Sequence, residues 1–196
     1  YYCTICTIID FFHWMINGHP VKILYVASGI PVPGNLGGST HAYEVARGLS
    51  RRGHDVHVVA VSREGHTNLG HLFAPAQQQL DGFTIYHIDI PKAISLLSTP
   101  TIMALAHRLQ PDVIMERYYN FAGAGMIAAR FGKRPTLLEV NALIVDPPTV
   151  RKRQIDDRLG GPMRRWATMQ CRWADAIVTP LQTTIPSGID RARIHE

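Results

Sequence analysis

Cysteine is scarce in this sequence, which contains only three in 196 residues. So low a count excludes a disulfide scaffold and is typical of a reducing compartment, so we expect a cytoplasmic protein. Cys3 and Cys6 form one C-x-x-C pair, but no second pair or spaced histidines accompany it, and no metal site is predicted. Hydrophobic residues make up 46% and charged residues 18%, which is typical of a globular domain rather than a disordered chain.

Long hydrophobic runs are also missing. Tyr1 to Ile16 is apolar but is interrupted by Asp10 and His13, and it is too short to span a bilayer. It has no basic leader, so it does not resemble a signal peptide. A clean strand pattern starts directly after Val21. We therefore expect residues 1–20 to be a non-native or upstream extension and residues 21–196 to be the domain.

The common nucleotide-binding motifs are absent as well. The chain has no tight G-x-G-x-x-G loop and no G-x-x-x-x-G-K-[ST] loop. Its second predicted strand ends in Val61, Ser62 and Arg63, without the acidic residue that binds a ribose in dinucleotide-binding folds. These absences argue against ATP binding and leave a dinucleotide-dependent oxidoreductase as a weak alternative.

The pattern that is present alternates short β-rich runs with helical runs. Such alternation predicts an α/β fold, a Rossmann-like doubly wound parallel sheet with helices on both faces. The predicted strands are nearly continuous apolar runs, as expected for strands buried on both faces: Lys22–Ser28, Asp55–Val61, Phe83–Ile88, Asp112–Met115, Thr136–Val140 and Ala176–Thr179. The first helix is predicted over Thr40–Arg52, with Ser39 as its cap.

The loop after the first strand is the best candidate for a binding site. It ends in Gly37, Gly38 and Ser39 directly before the helix. Ligands of open parallel sheets bind at the carboxyl ends of the strands. Adjacent glycines allow close approach of the backbone, and amides at a helix start favour an anion. We therefore predict a diphosphate site there, while a simple turn without a ligand is the alternative.

Three stretches resemble family 4 glycosyltransferases. The first is KILYVASGIPVPGNLGGSTHAYEVARGLSRRGHDVHVVA, which contains the Gly37-Gly38 loop and the Gly53-His54 pair. The others are PDVIMERYYNFAGAGMIAARFGKRPTLLEVNA and RWADAIVTP. The resemblance covers nearly all of residues 21–196 and implies one lobe of a GT-B fold.

That resemblance also implies roles for individual residues. Gly37, Gly38 and Ser39 would lie against the diphosphate of a nucleotide-sugar donor. The loops after the fourth and fifth strands would line the acceptor side, which nominates the following acceptor-binding residues: Arg117, Tyr118, Glu139 and Asn141. His41 and Glu116 are the catalytic candidates.

Each of these residues also has a structural alternative. Glu116 and Arg117 can pair with each other. Glu139 and Asn141, two apart on a strand, face the same side, and either can cap a helix. His41 can be an ordinary residue on a helix face.

The family pattern further implies a second lobe, which carries a basic pair and a Glu-x7-Glu motif for the donor. No pair of glutamates in this sequence has that spacing. We therefore interpret the chain as the N-terminal lobe, inactive on its own, of a retaining hexosyltransferase of the kind used in polysaccharide biosynthesis. The resemblance implies no cofactor and no catalytic metal. The substrates would be a nucleotide diphosphate sugar and a glycan or lipid-linked hydroxyl acceptor.

A basic segment follows at residues 151–172. Its pattern is helical, with a break or kink predicted at Gly160-Gly161-Pro162 and a predicted buried stripe of Ile155, Leu159, Met163, Trp166 and Met169. Seven arginines and lysines stand there against Asp156 and Asp157, a charge that suits an anionic surface. It predicts peripheral contact with the inner face of a membrane, with Trp166 and Trp173 near the interface or, as the favoured alternative, buried against the sheet. Nucleic acid is not an expected partner. A non-catalytic acceptor-binding or inert module remains the alternative to an enzyme.

Overall fold

The computed structural model describes Ile5, Ile9 and residues 19–141, 143–144 and 149–196. Its strands are β1 (Lys22–Pro31), β2 (Asp55–Val61), β3 (Ala76–Leu80), β4 (Phe83–His87), β5 (Val113–Arg117), β6 (Thr136–Glu139), β7 (Ala176–Val178) and β8 (Ile194–His195). The α-helices outside the N-terminal segment are α1 (Gly37–Arg51), α2 (Thr99–Leu109), α3 (Ala124–Gly132), α4 (Arg151–Arg158) and α5 (Pro162–Trp173). Short 3-10 helices lie at Leu69–Leu72, Lys92–Ser98, Gln182–Thr184 and Arg191–Arg193.

The strands form one sheet in the order β3-β4-β2-β1-β5-β6-β7-β8. All neighbouring pairs are parallel except β3 and β4. Helices cover both faces, because alternate residues of β1 enter different cores: Ile23 and Tyr25 pack with α1, and Leu24 and Val26 pack with α2 and α3. The predicted Rossmann-like doubly wound sheet is confirmed.

Two strands of the sheet were not predicted from the sequence. β3 contains Gln77–Gln79, and all but its last residue are exposed, so it lacks the apolar run that marks a buried strand. β8 is two residues long, too short to give a periodic signal. Both are peripheral to the sheet, where a strand needs little apolar surface.

The start of the first helix also differs from the prediction. Helix α1 begins at Gly37 instead of Thr40, and its N-cap is Leu36, without a side-chain hydrogen bond. The prediction that Ser39 caps the helix was therefore wrong. The twin glycines form the first turn of the helix rather than a loop before it.

The basic segment folds as two helices. α4 ends at Arg158 and α5 begins at Pro162, so the predicted break at residues 160–162 is confirmed. The predicted buried stripe was wrong, because Ile155, Leu159 and Met169 are exposed. That prediction assumed one continuous helix, but the break interrupts the helical periodicity. Helix α5 instead buries Ala167, Gln170 and Cys171.

Ile5 and Ile9 of the N-terminal segment are both buried in the core that contains Val21 and Ile23. Whether residues 1–20 belong to the natural protein stays a prediction, and Cys3 and Cys6 lie outside the described residues. None of the helices in the described part is both long and apolar enough to cross a bilayer.

Candidate functional site

The carboxyl ends of β1, β5 and β6 lie side by side, because these strands are parallel neighbours. Helix α1 starts at the same edge, after the loop that leaves β1. Gly37 is exposed and Gly38 half-buried, and a Cβ atom added at Gly38 would lie 3.8 Å from Nη2 of Arg117. The glycine turn therefore lies beside the Arg117 side chain at the end of β5.

Glu139, the last residue of β6, is the centre of a polar cluster at this edge. Its Oε1 lies 2.5 Å from Nε2 of His41 and 2.8 Å from Nη1 of Arg117. The side-chain amide of Asn141 donates to the same oxygen at 2.5 Å. Oε2 accepts a hydrogen bond from the Tyr25 hydroxyl, also at 2.5 Å. One carboxylate thus joins residues from α1, β1, β5 and the loop after β6.

The electrostatics of this cluster favour an ionised carboxylate. Burial alone would raise the pKa of Glu139, but the hydrogen bond from His41 and the charge of Arg117 outweigh it, so the pKa lies below its usual value. Burial acts to lower the pKa of Arg117, but Glu139 keeps it above its usual value. Burial and the Glu139 charge together raise the pKa of Tyr25 well above its usual value. Glu139 and Arg117 therefore form a charged pair with a neutral tyrosine beneath it.

Tyr25 was missed by the sequence analysis. It stands in the otherwise aliphatic run Ile23–Ala27 of β1 and has no exposed surface. A buried tyrosine hydroxyl usually has a hydrogen-bond partner. A tyrosine inside a strand buried on both faces was thus a usable signal for a polar group nearby.

Glu116 faces away from this cluster. Its side chain is fully buried, and its two oxygens accept hydrogen bonds from the backbone amides of Gly123 at 3.1 Å and Gly125 at 2.7 Å. Burial raises its pKa to about 8, against the hydrogen bonds from those amides, which lower it. The structure therefore places this candidate at the start of helix α3, under the sheet, and pairs Arg117 with Glu139 instead.

Ser39 and Tyr118 are also outside the cluster. The Ser39 side chain is buried, and its oxygen lies 2.9 Å from the position of a Cβ at Gly34. Tyr118 packs in the core near α5, and its hydroxyl donates to Asn120 at 3.2 Å. Only the backbone amide of Ser39 belongs to the glycine turn, and Tyr118 lies on the face of the sheet opposite Arg117.

Two arginines of the basic segment are neutralised within the protein. Arg153 and Arg164 pair with Asp157. Buried Asp156 accepts the amide of Met163 at 2.8 Å at the start of α5. The indole of Trp166 donates to the backbone oxygen of Ala122 at 2.7 Å. This hydrogen bond favours the alternative in which the tryptophans are buried against the sheet.

Among the described residues, no group of three or more histidines, cysteines, aspartates and glutamates could hold a metal ion. The polar cluster instead offers hydrogen bonds, one guanidinium and helix-start amides. Such groups suit sugar hydroxyls and phosphate oxygens.

The model of Glycosyltransferase Family 4 matches residues 36–195, which include the glycine turn and the whole cluster except Tyr25. No curated protein matches the sequence.

Several solved structures resemble the fold. MurG of Acinetobacter baumannii has 20% identity and a TM-score of 0.53, with 86% of this chain and 44% of MurG covered. Anabaena HepE in complex with UDP-glucose has 15% identity and a TM-score of 0.57, with 89% and 43% covered. Sucrose-phosphate synthase from Thermosynechococcus elongatus has 12% identity and a TM-score of 0.55, with 80% and 41% covered.

The chain thus spans less than half the length of these three proteins. At such identities the likeness establishes the fold alone. The family match covers most of the sequence and is independent of that likeness. The chain belongs to Glycosyltransferase Family 4, and its fold is that of one Rossmann-like lobe of a GT-B protein.

Proposed function

We propose that this chain is the acceptor-side lobe of an enzyme that transfers a sugar from a nucleotide diphosphate sugar to a hydroxyl group of a glycan or lipid-linked acceptor. The observation that carries this proposal is the meeting of the glycine turn with the Glu139 cluster at the carboxyl edge of the sheet. HepE, whose fold is similar, was solved with UDP-glucose, which supports a nucleotide-sugar donor.

The donor diphosphate would bind where positive groups converge. The amides of Gly37, Gly38 and Ser39 open helix α1, which has no side-chain cap among the described residues. Arg117 lies beside Gly38. Helix-start amides and a guanidinium both stabilise phosphate oxygens. We assign diphosphate contact to this turn and extend the role of Arg117 from acceptor binding to the diphosphate.

His41 would contact the reacting groups. Its Nε2 is held by Glu139, while 42% of its side chain is exposed, so Nδ1 is the nitrogen left for a ligand. Asn141 lies on the exposed side of the cluster and suits an acceptor hydroxyl. Glu139 then acts as a positioning residue for His41 and Arg117, and buried Glu116 positions helix α3.

The proposed reaction retains the configuration of the sugar. The bond between the anomeric carbon and the diphosphate oxygen breaks, and the acceptor oxygen bonds to that carbon on the same face. The acceptor proton passes to the departing diphosphate. Stabilising the charge on that leaving group by fixed donors is the main contribution expected of this lobe, and the second lobe of the GT-B fold would bind the nucleotide.

The test uses the full reading frame that encodes this chain. Release of nucleoside diphosphate from a panel of nucleotide sugars should be detectable, and this chain alone should give none. His41→Ala should lower kcat by about 100-fold or more, a typical loss for one reacting-centre contact. Arg130→Ala, on the far side of the lobe, is the matched control. The proposal would be refuted if neither the full-length protein nor this chain transferred a sugar, or if His41→Ala kept full activity.

A cytoplasmic location at the inner face of a membrane is a further part of the proposal. Arg158, Arg165 and Arg172 are exposed on α4 and α5, and exposed arginines attract anionic lipids. Sedimentation with phosphatidylserine vesicles tests this contact. Replacing the three arginines by glutamine should abolish binding to the phosphatidylserine vesicles. Phosphatidylcholine vesicles are the neutral control and should not bind the protein.

A further inference from the structure

A second cleft opens at the carboxyl edge of the sheet, on the other side of β1. Its volume is about 370 Å³, and it lies between the ends of β1, β2 and the segment after β4. Arg63, His66 and Lys92 line it, together with the single carboxylate Glu64. The Glu139 cluster lies across β1, on the β5 and β6 side. Both sites therefore share one edge of the sheet, with β1 between them.

Lys92 connects the two sites. A Cβ at Gly29 would lie 2.2 Å from Cγ of Lys92, and Gly29 has a φ of +69°. Only glycine at this position lets the lysine chain cross the end of β1. The Lys92 ammonium then reaches a point 5.6 Å from the ring centroid of Tyr119. Tyr119 follows β5, so the lysine side chain runs from the cleft past β1 to the segment after β5.

The loop that carries Arg63 and His66 is held in place from below. Asp89 is fully buried and accepts hydrogen bonds from the Ser62 amide at 2.6 Å and the Ser62 hydroxyl at 2.8 Å. It also lies 3.5 Å from Nε2 of His66. Nη2 of Arg63 lies 3.5 Å from Nδ1 of the same histidine. The cationic side of the cleft is therefore built on a buried carboxylate rather than on a free loop.

The cations of this cleft differ from other arginines of the protein. Arg47, Arg153 and Arg164 each form an ion pair with a carboxylate. No such pair with a described residue involves Arg63 or Lys92. Among the residues that line the cleft, these two cations stand against the single carboxylate of Glu64. The ammonium of Lys92 and the guanidinium of Arg63, which come from different segments of the chain, suit the oxygens of a phosphate.

We infer that this cleft binds a phosphate group carried by the acceptor, which would lie along the sheet edge with its reacting hydroxyl at His41. The inference rests on the proposed function and specifies its acceptor as a phosphate-bearing molecule. The phosphate can belong to a lipid-linked acceptor or to a glycan. Tyr119, 39% exposed, would support the intervening sugar ring.

The test measures binding to this chain alone, without donor. The probes are farnesyl phosphate for the lipid-linked source and glucose 1-phosphate for the glycan source, with glucuronate and glucose as controls. Amide shifts in a ¹⁵N spectrum locate each probe. We expect at least one phosphate probe to shift Gly65 and His66, and neither control to do so. The probe that binds identifies the source of the phosphate.

Variants then assign the contact. Arg63→Gln and Lys92→Met should each weaken binding of the phosphate probe about tenfold, the loss expected for one charge-assisted contact. Arg51→Gln, an exposed arginine at the other end of α1, should leave the affinity unchanged. Unperturbed spectra outside the cleft show that the variants remain folded.

Three outcomes would overturn the inference: no binding of either phosphate probe, equal binding of glucuronate, or shifts confined to Gly37 and Gly38. Failure of the proposed function has a separate readout. It would appear as absence of sugar transfer by the full-length protein, which the phosphate titration does not measure.

Discussion

Replacing Glu139 by glutamine tests whether one carboxylate holds the polar cluster together. The Glu139 side chain is 1% exposed and that of Arg117 11%, with their charged atoms 2.8 Å apart. Breaking a buried ion pair costs about 3–5 kcal/mol, because the remaining charge stays buried without compensation. Glutamine keeps one acceptor oxygen, so we expect a loss near the lower end of that range, about 3 kcal/mol in the free energy of unfolding at neutral pH.

The pH dependence of this loss has a definite sign. The pKa of Glu139 lies below the ordinary value of 4.5 in the folded protein, since the contacts with His41 and Arg117 outweigh burial. A lowered folded-state pKa gives stability that is present above the unfolded-state pKa and is lost as pH falls through the folded one. The difference in the free energy of unfolding between wild type and Glu139→Gln should therefore be largest above pH 4.5 and should decrease as the pH falls below that value.

The assay is urea unfolding followed by circular dichroism and tryptophan fluorescence, with linear extrapolation. Glu44→Gln is the matched control, because Glu44 pairs with Arg47 on an exposed helix face, where ion pairs contribute little. The double variant Arg117→Met with Glu139→Gln should recover part of the stability, since no buried charge is left unpaired. An unchanged unfolding midpoint for Glu139→Gln, or a loss equal to that of Glu44→Gln, would refute this reasoning.

Three further predictions concern the rest of the lobe. Gly125→Ala should destabilise the protein by about 1–3 kcal/mol, because the new methyl would lie 2.5 Å from Glu116 and 2.8 Å from Val26. Gly48→Ala is the control, since Gly48 has open space around it, and it should raise the urea midpoint. Equal behaviour of the two variants would contradict the packing described. Burial raises the pKa of Glu116 to about 8 from 4.5, so the free energy of unfolding should fall as pH rises between those values. Glu116→Gln should flatten that decline in denaturant titrations. A wild-type stability profile that is already flat over this pH range would disprove the prediction. Burial raises the pKa of the Cys171 thiol to about 12, so mass spectrometry should find it unmodified by iodoacetamide until urea unfolds the chain, and rapid labelling of the native protein would show that the thiol is accessible.

The parallel sheet could be predicted because its signals are local. Nearly continuous apolar runs such as residues 56–61 are buried, and the Gly37-Gly38 pair marks a turn by its composition. The exceptions have physical causes. Residues 76–80 form an exposed edge strand, and the phase of the basic helices was lost at the break after Arg158. Peripheral strands and helix breaks leave weak periodic signals.

The candidate site could be predicted only in part, because alternation along a strand decides which side chains meet. Glu116 and Arg117 are adjacent in sequence, yet they point to opposite faces of β5. Parallel pairing places Arg117 directly beside Glu139, while Glu116 reaches the amides of helix α3. Glu116 was predicted to be catalytic and Glu139 to bind the acceptor, but the pairing of the strands leaves only Glu139 at the cluster.

The sequence by itself determined the six buried strands in their chain order and the position of the glycine turn, because periodicity and turn chemistry act over a few residues. Only the tertiary structure decided that His41, Arg117 and Tyr25 meet at Glu139, and that Lys92 crosses β1 beside Gly29. These contacts join residues 22 to 114 positions apart. They depend on strand order, register and facing, which no local pattern encodes.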